Sequence, residues 1–247
     1  MKITSRTMLL RIQKFLSQCG YCSRRAAEKF ILESRITVND KPATIGQMVD
    51  DSRDMVKVDS IRVRQIQRKE TIALMLNKPR GVVCTHPTKH SPEKTVFDYI
   101  PPPFSHERFL YCGRLDRDSQ GMLILSNDGD FVQKLTHPSS NISKIYHVTL
   151  SHPIGPEHGA KMLRGIEDGG EYLKAEKIIE LPTHNGHQVL EMHLKQGRRH
   201  EIRRMIEACG CHVHRLKRMQ IGQLKLKNLG IGHVKYLTPK DIDCLFA

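Results

Sequence analysis

The polar run RQIQRKE at residues 64–70 interrupts every apolar period in the chain. Its lone Ile66 makes no apolar period, so the stretch suits a linker, and the chain divides into a small part before and a larger part after. This places a first domain over 8–63, a linker over 64–71 and a second domain over 72–247. In the first, Ile12, Phe15, Leu16 and Cys19 recur at helical spacing and Gly20 stops that helix. Ser23 is a good N-cap for a second helix carrying Ala26, Ala27, Phe30 and Ile31. Two short strands follow. Ile36 and Val38 alternate before the turn residues Asn39 and Asp40, and Met55, Val56 and Val58 mark the other.

The larger part opens on TIALMLNKPRG, an apolar strand ended by a proline and glycine turn. Residues 85–107, rich in Pro, His and Thr, read as an irregular loop with one helical turn around 96–100. Strands are expected at 122–126, 145–150 and 188–194, and helices at 130–135, 156–164 and 200–208. A last helix is signalled by Thr238 as N-cap, Pro239 in its first position and Asp241 in its first turn. With no regular β-α-β beat, the expected class is α+β: a small α/β module, then a mixed, mainly antiparallel sheet flanked by helices and loops.

Charge narrows the function. Of a net +14, residues 1–71 carry 15 basic against 8 acidic side chains and residues 195–227 carry 10 against 2. Two basic zones on a near-neutral body suit a polyanion held at two places, and nucleic acid is the expected one. In the first domain Arg11, Lys14, Arg24, Arg25 and Lys29 would supply the grip. No apolar run approaches the roughly 20 residues that span a bilayer, and the first residues show no signal-cleavage pattern, so a cytoplasmic address is expected. Seven scattered cysteines, an odd number, read as reduced thiols. Cys19 and Cys22 have zinc-ligand spacing, and Cys209, Cys211, His212 and His214 crowd together elsewhere. Four converging ligands are needed for a structural zinc, and helix packing accounts for Cys19, so no metal is expected.

The stretch GRLDRDSQGML sets Asp116 between Arg114 and Arg117, just before an apolar strand. A carboxylate among guanidinium groups keeps its charge, which suits a base or a nucleophile and not an acid. Gly113 and Gly121 permit a tight loop there. On the residues alone, a surface ion-pair cluster explains the same pattern.

GRLDRDSQGMLILSNDG resembles the catalytic motif of the RNA pseudouridine synthases, in the branch of the ribosomal small-subunit enzyme and its large-subunit relatives. Three more stretches resemble that branch: LNKPRGVVCT, KIYHV and QGRRHEIRRMI. Residues 10–63 resemble the S4 RNA-binding module. The resemblance implies that Asp116 is the essential catalytic residue, that Tyr146 lines the uracil pocket and that Arg203 pairs with Asp116. Arg114 and Arg117 are near enough to bind a substrate phosphate or the aspartate itself. Substrate contacts are also expected from Lys78, in the matching opening motif, and from Arg198, Arg199 and Arg204, which also fit a plain basic helix face on phosphate. Met122 and Glu201 are small departures from the pattern.

Isomerising uridine needs no redox step or energy source, so no cofactor is expected, in line with the lack of a phosphate-cradling or dinucleotide fingerprint. Asp116 would attack covalently or abstract a ribose proton, and the sequence leaves both routes open. The favoured substrate is 23S ribosomal RNA, free or in an assembling subunit, on the wording of PATIG and DRDSQG, and a monomer is expected. The competing reading is a non-catalytic RNA-binding assembly factor, which would tolerate asparagine at 116. A DNA-binding protein is weaker, for want of a base-reading helix.

Overall fold

The computed structural model describes residues 9–64, 70–86 and 93–247. Residues 65–69 of the expected linker and 87–92 of the expected loop lie outside the described residues. The chain divides into two compact units between Glu70 and Thr71.

The first unit runs β1 (Leu9–Arg11), α1 (Ile12–Gln18), α2 (Arg24–Leu32), β2 (Ile36–Val38), β3 (Lys41–Pro42), β4 (Met48–Asp50), β5 (Val56–Val58) and β6 (Ile61–Arg62). Strand β1 pairs with β4, and β3-β2-β5-β6 form an antiparallel sheet. Ile12, Phe15 and Leu16 lock onto Ala27, Ile31, Ile36 and Val58 in one core. That stripe fixes which way the polar residues of both helices face. Gly20 ends α1 at φ 69°, and the Ser23 hydroxyl accepts from the Ala26 amide at 3.1 Å, as an N-cap should. Arg11, Arg24, Arg25 and Lys29 are left exposed, with Lys14 half-buried. Burial pushes the Cys19 thiol up to about 11, with Asp51 adding to it, and Cys19 packs in the core beside Phe15 and Leu16.

The second unit runs β7 (Ala73–Lys78), β8 (Leu110–Cys112), β9 (Ser119–Ser126), α3 (Gly129–Thr136), β10 (Lys144–Leu150), α4 (Pro156–Arg164), β11 (Ile166–Asp168) and β12 (Glu171–Leu173). It continues through β13 (Lys177–His184), β14 (His187–Leu194), α5 (Glu201–Glu207), β15 (Val213–Ile221), β16 (Leu224–Lys225), β17 (Val234–Tyr236) and α6 (Pro239–Phe246). Nine strands form one sheet in the order β13-β14-β10-β15-β9-β7-β17, with β16 beside β15 and β8 beside β9. The pairs are antiparallel except β15 with β9. The fold is therefore α+β on a mixed, mainly antiparallel sheet.

Strands β7 and β9 are apolar on both sides because both sides are covered. Leu74, Leu76, Leu123 and Leu125 enter one core, while Met75, Met122 and Ile124 enter another with residues around α3 and α6. Further along the sheet, Val148, Leu150, Leu190, Met192 and Leu194 pack with Met162, Ile202 and Met205 of α4 and α5. The expected helices at 130–135, 156–164 and 200–208 form within a residue or so, and the last one carries a full capping box between Thr238 and Asp241. The 96–100 turn forms as a short 3-10 helix, Val96–Tyr99.

Seven strands of this unit were not legible in the sequence: β8, β11, β12, β13, β15, β16 and β17. Strand β15 matters most. It runs parallel to the start of β9, with Leu216 opposite Ser119 and Arg218 opposite Gly121. A Cβ at Gly121, where φ is 102°, would fall 2.3 Å from the Arg218 carbonyl oxygen. Only glycine lets the two backbones meet, and their meeting carries Arg218 to the foot of the Asp116 loop.

Candidate active site

The loop between β8 and β9 carries Asp116 and is held by its own backbone. The Ser119 amide donates to the Asp116 carbonyl at 3.0 Å, and the Gly81 amide to that of Arg117 at 2.8 Å. Lys78, at the end of β7, is fully buried beneath it. Its ammonium donates to the carbonyls of Ser119 (2.8 Å), Pro79 (3.0 Å), Asp116 (3.1 Å) and Arg117 (3.3 Å). This corrects the substrate contact expected of Lys78: a cation with no exposed surface, spent on main-chain oxygens, positions the loop. Burial pulls its titration down to about 8, opposed by Cys84, Asp116 and Asp118.

The Asp116 carboxylate projects into a cleft of about 600 Å³ lined among others by Tyr146, Arg218, Lys144, His200, Glu201 and Arg203. Its Oδ1 lies 3.4 Å from His200 Nε2, with both side chains close to half-exposed. Tyr146 and Arg218 are register partners on β10 and β15. Arg218 is 2% exposed. Its Nε donates to the Met122 carbonyl at 2.7 Å, its Nη1 reaches the Tyr146 hydroxyl at 3.5 Å, and its Nη2 has no partner. A buried guanidinium with one free donor beside a carboxylate-bearing cleft stabilises negative charge arriving there.

The expected pair of Arg203 with Asp116 is not formed among the described residues. The Arg203 Nη1 donates instead to the Val213 carbonyl at 3.4 Å, because α5 turns that side chain toward the start of β15. His200, left-handed at φ 52° just before α5, takes the place beside Asp116. Two other arginines expected to contact substrate have carboxylate partners within the protein. Arg204 is held by Asp168 and Glu171, which pin α5 to the β11–β12 hairpin, and Arg117 pairs with Glu93 at 3.3 Å. Arg198 lines the cleft while reaching Glu171 at 3.5 Å, and Arg114 and Arg199 stand exposed at its edge.

Sequence reasoning missed Arg218, Lys144 and Glu201 as members of the site. Glu201 is 6% exposed, with Oε2 accepting from the Arg198 amide at 3.3 Å and Oε1 unpartnered. Burial raises it from 4.5 to about 7, against the pull of Arg198 and Lys144. Burial also pulls Lys144 down to about 8, aided by Arg218. Since the folded-state value of Glu201 lies above the unfolded one, its contribution is full below pH 4.5 and is lost as pH rises through about 7. In Glu201→Gln that loss disappears: unfolding curves at pH 4.5 and 8 should show the variant gaining roughly 3 kcal/mol on wild type over the interval. Parallel stability-pH curves would refute the assignment.

The profile of the family described as RNA pseudouridylate synthase matches residues 72–208, and that of the S4 domain matches 10–58. The chain belongs to the RNA pseudouridylate synthase family. Among its relatives is the ribosomal large subunit pseudouridine synthase B of Bacillus subtilis (strain 168), 35% identical and covering 96% of each chain. The dual-specificity RNA pseudouridine synthase RluF of Escherichia coli (strain K12) is 33% identical over 96% of this chain and 78% of its own. A solved pseudouridylate synthase superposes with a TM-score of 0.66 at 27% identity, over 96% of this chain and 99% of that one. This synthase is thus an enzyme that isomerises uridine in RNA, built on an S4 domain and a catalytic domain. Among the described residues no helix is long and apolar enough to cross a membrane.

Proposed function

We propose that this synthase converts a uridine of large-subunit ribosomal RNA into pseudouridine, with Asp116 as the reacting carboxylate. The observation that carries the reading is the placement of Asp116 on a loop tied down by buried Lys78, facing a cleft that also holds Tyr146 and Arg218. The name of the Bacillus subtilis relative favours a ribosomal substrate and, within the ribosome, the large subunit.

The reaction breaks the bond from ribose C1′ to N1, turns the ring, joins C1′ to C5, moves a proton off C5 and places one on N1. Nothing is oxidised. The target base must leave its stack, and Tyr146 offers a face to receive it. Asp116 attacks the ribose or ring, or takes a ribose proton, and either act needs a carboxylate that is close and ionised. Arg218 holds the Tyr146 hydroxyl and supplies a donor in a poorly hydrated wall. Arg114, Arg198, Arg199 and Arg203 meet the phosphates flanking the target, and Arg11, Lys14, Arg24, Arg25 and Lys29 of the S4 domain grip RNA further off. The enzyme works as a cytoplasmic monomer.

Mapping pseudouridine by carbodiimide labelling and primer extension on unmodified ribosomal and transfer RNAs, free and in precursor particles, tests the substrate. New stops confined to large-subunit RNA are expected. New stops only in small-subunit or transfer RNA would overturn that choice.

A further inference from the structure

Strands β13, β14, β10 and β15 turn one face, with Val148, Met192 and Leu216, into the core under α4 and α5. On the other face Thr149 and Val189 are buried and Met219 packs on a neighbouring core, whereas His147, Glu191, Arg215 and Lys217 are half-buried and belong to no core cluster. On this other face, register sets Glu191 beside His147, His147 beside Lys217, and Lys217 beside Gln120. Arg215 lies two residues before Lys217 on β15, and Lys177 lies beside His193 at the outer strand.

The charges do not balance. Glu191 spends both oxygens on histidines, accepting from His193 Nε2 at 2.8 Å and lying 3.5 Å from His147 Nε2. Arg215 donates from Nε to the neutral Gln120 at 2.8 Å. Lys217 is half-buried, and burial together with Arg215 pulls its titration down. Among the described residues Lys177, Arg215 and Lys217 have no carboxylate within ion-pair distance. Holding partly desolvated cations together without a counter-ion costs free energy in the isolated protein. Arg215 and Lys217, two apart on one strand, stand about 7 Å apart, a spacing that suits neighbouring phosphates, and Lys177 lies three strands further out, about 14 Å away.

We propose that this outer sheet face is a second RNA contact, which grips the phosphodiester backbone of the substrate away from the nucleotide being isomerised. It rests on the reading of the chain as an RNA-modifying enzyme, and it is separate from the cleft, since none of Lys177, Arg215 and Lys217 lines it. A phosphate backbone fits better than a protein partner because the face offers cations in excess of its one carboxylate among the described residues, Glu191, which is already engaged by two histidines. Large structured RNA gives a backbone long enough to reach it.

The test uses the full chain, an unmodified large-subunit RNA transcript and a salt series. For Arg215→Gln/Lys217→Gln the slope of log affinity against log salt should flatten by about 1.4 to 1.8, two phosphate contacts' worth. Turnover at saturating RNA should stay within about twofold of wild type. Lys177→Gln changes an exposed side chain that no core needs, and should flatten the slope by about 0.7 to 0.9. Wild-type slopes in both variants, or an acidic protein that competes where RNA does not, would overturn the inference. Binding is read without turnover, so the two readings fail separately. A wild type that makes no pseudouridine, with slopes that still flatten, removes the proposed function alone, whereas full turnover with unmoved slopes removes the second contact alone.

Discussion

Asp116→Asn is expected to abolish pseudouridine formation, lowering kcat by at least about 10⁴-fold, and to leave RNA affinity within about twofold. The substitution keeps the shape of the side chain and one acceptor oxygen, and removes only the charge that attack or proton abstraction requires. Stability should hardly move. The ion pair lost with His200 joins two side chains that are 40% and 45% exposed, and such pairs are worth about 0.2 to 1 kcal/mol. The loop itself is held by main-chain bonds and by Lys78, none of which involves the Asp116 carboxylate. Single-turnover rates on unmodified RNA, filter-binding affinity and thermal unfolding check the three parts. A variant that binds normally and retains a tenth of the wild-type rate would sink the assignment and hand Asp116 back to the ion-pair reading. Should wild type and variant both bind and neither modify RNA, the assembly-factor reading takes over.

What was legible in the sequence follows from how cleanly each element separates apolar from polar. Helix α1 shows Ile12, Phe15 and Leu16 at helical spacing, and β7 and β9 show unbroken apolar runs because cores press on both faces. The loop around Asp116 is announced by Gly113 and Gly121, both at positive φ. The strand VHRLKRMQI is different. Its alternation is real, with Leu216 and Ile221 in cores, but basic residues surround them and merge with a basic zone that reads as solvated surface. Arg218 then breaks the rule that arginine is rarely fully buried unless paired. Its burial depends on strands β10 and β9 arriving on either side, a matter of tertiary pairing that no local pattern encodes. Lys78 shares that history: a lysine before a Pro-Arg-Gly turn looks like a surface cation, and becomes a buried anchor only because a loop almost 40 residues later closes over it.

The same contrast decides between two arginines. Arg218→Met lowers kcat by about 10² to 10³-fold with little change in RNA affinity, whereas Arg203→Ala keeps kcat within about fivefold and weakens binding instead. Methionine fills most of the space of Arg218 without its charge. It leaves the Met122 carbonyl without the guanidinium that now meets it, at a cost of about 1 to 3 kcal/mol. A merely structural Arg218 would show that lost stability and a kcat close to wild type at a temperature well below unfolding. A functional one shows the kcat loss there as well, because the Tyr146 hydroxyl loses its partner and the cleft wall loses its charge. Arg218→Lys sharpens the distinction: lysine restores charge but not the fork that reaches the Met122 carbonyl and Tyr146 together, so activity should return in part. Arg203 spends its guanidinium on the Val213 carbonyl at the side of the cleft, where a phosphate can compete for it. The opposite ranking, a dead Arg203→Ala and an active Arg218→Met, would mean that RNA draws Arg203 away from Val213 and onto Asp116. The pairing implied by family resemblance would then exist only in the bound enzyme.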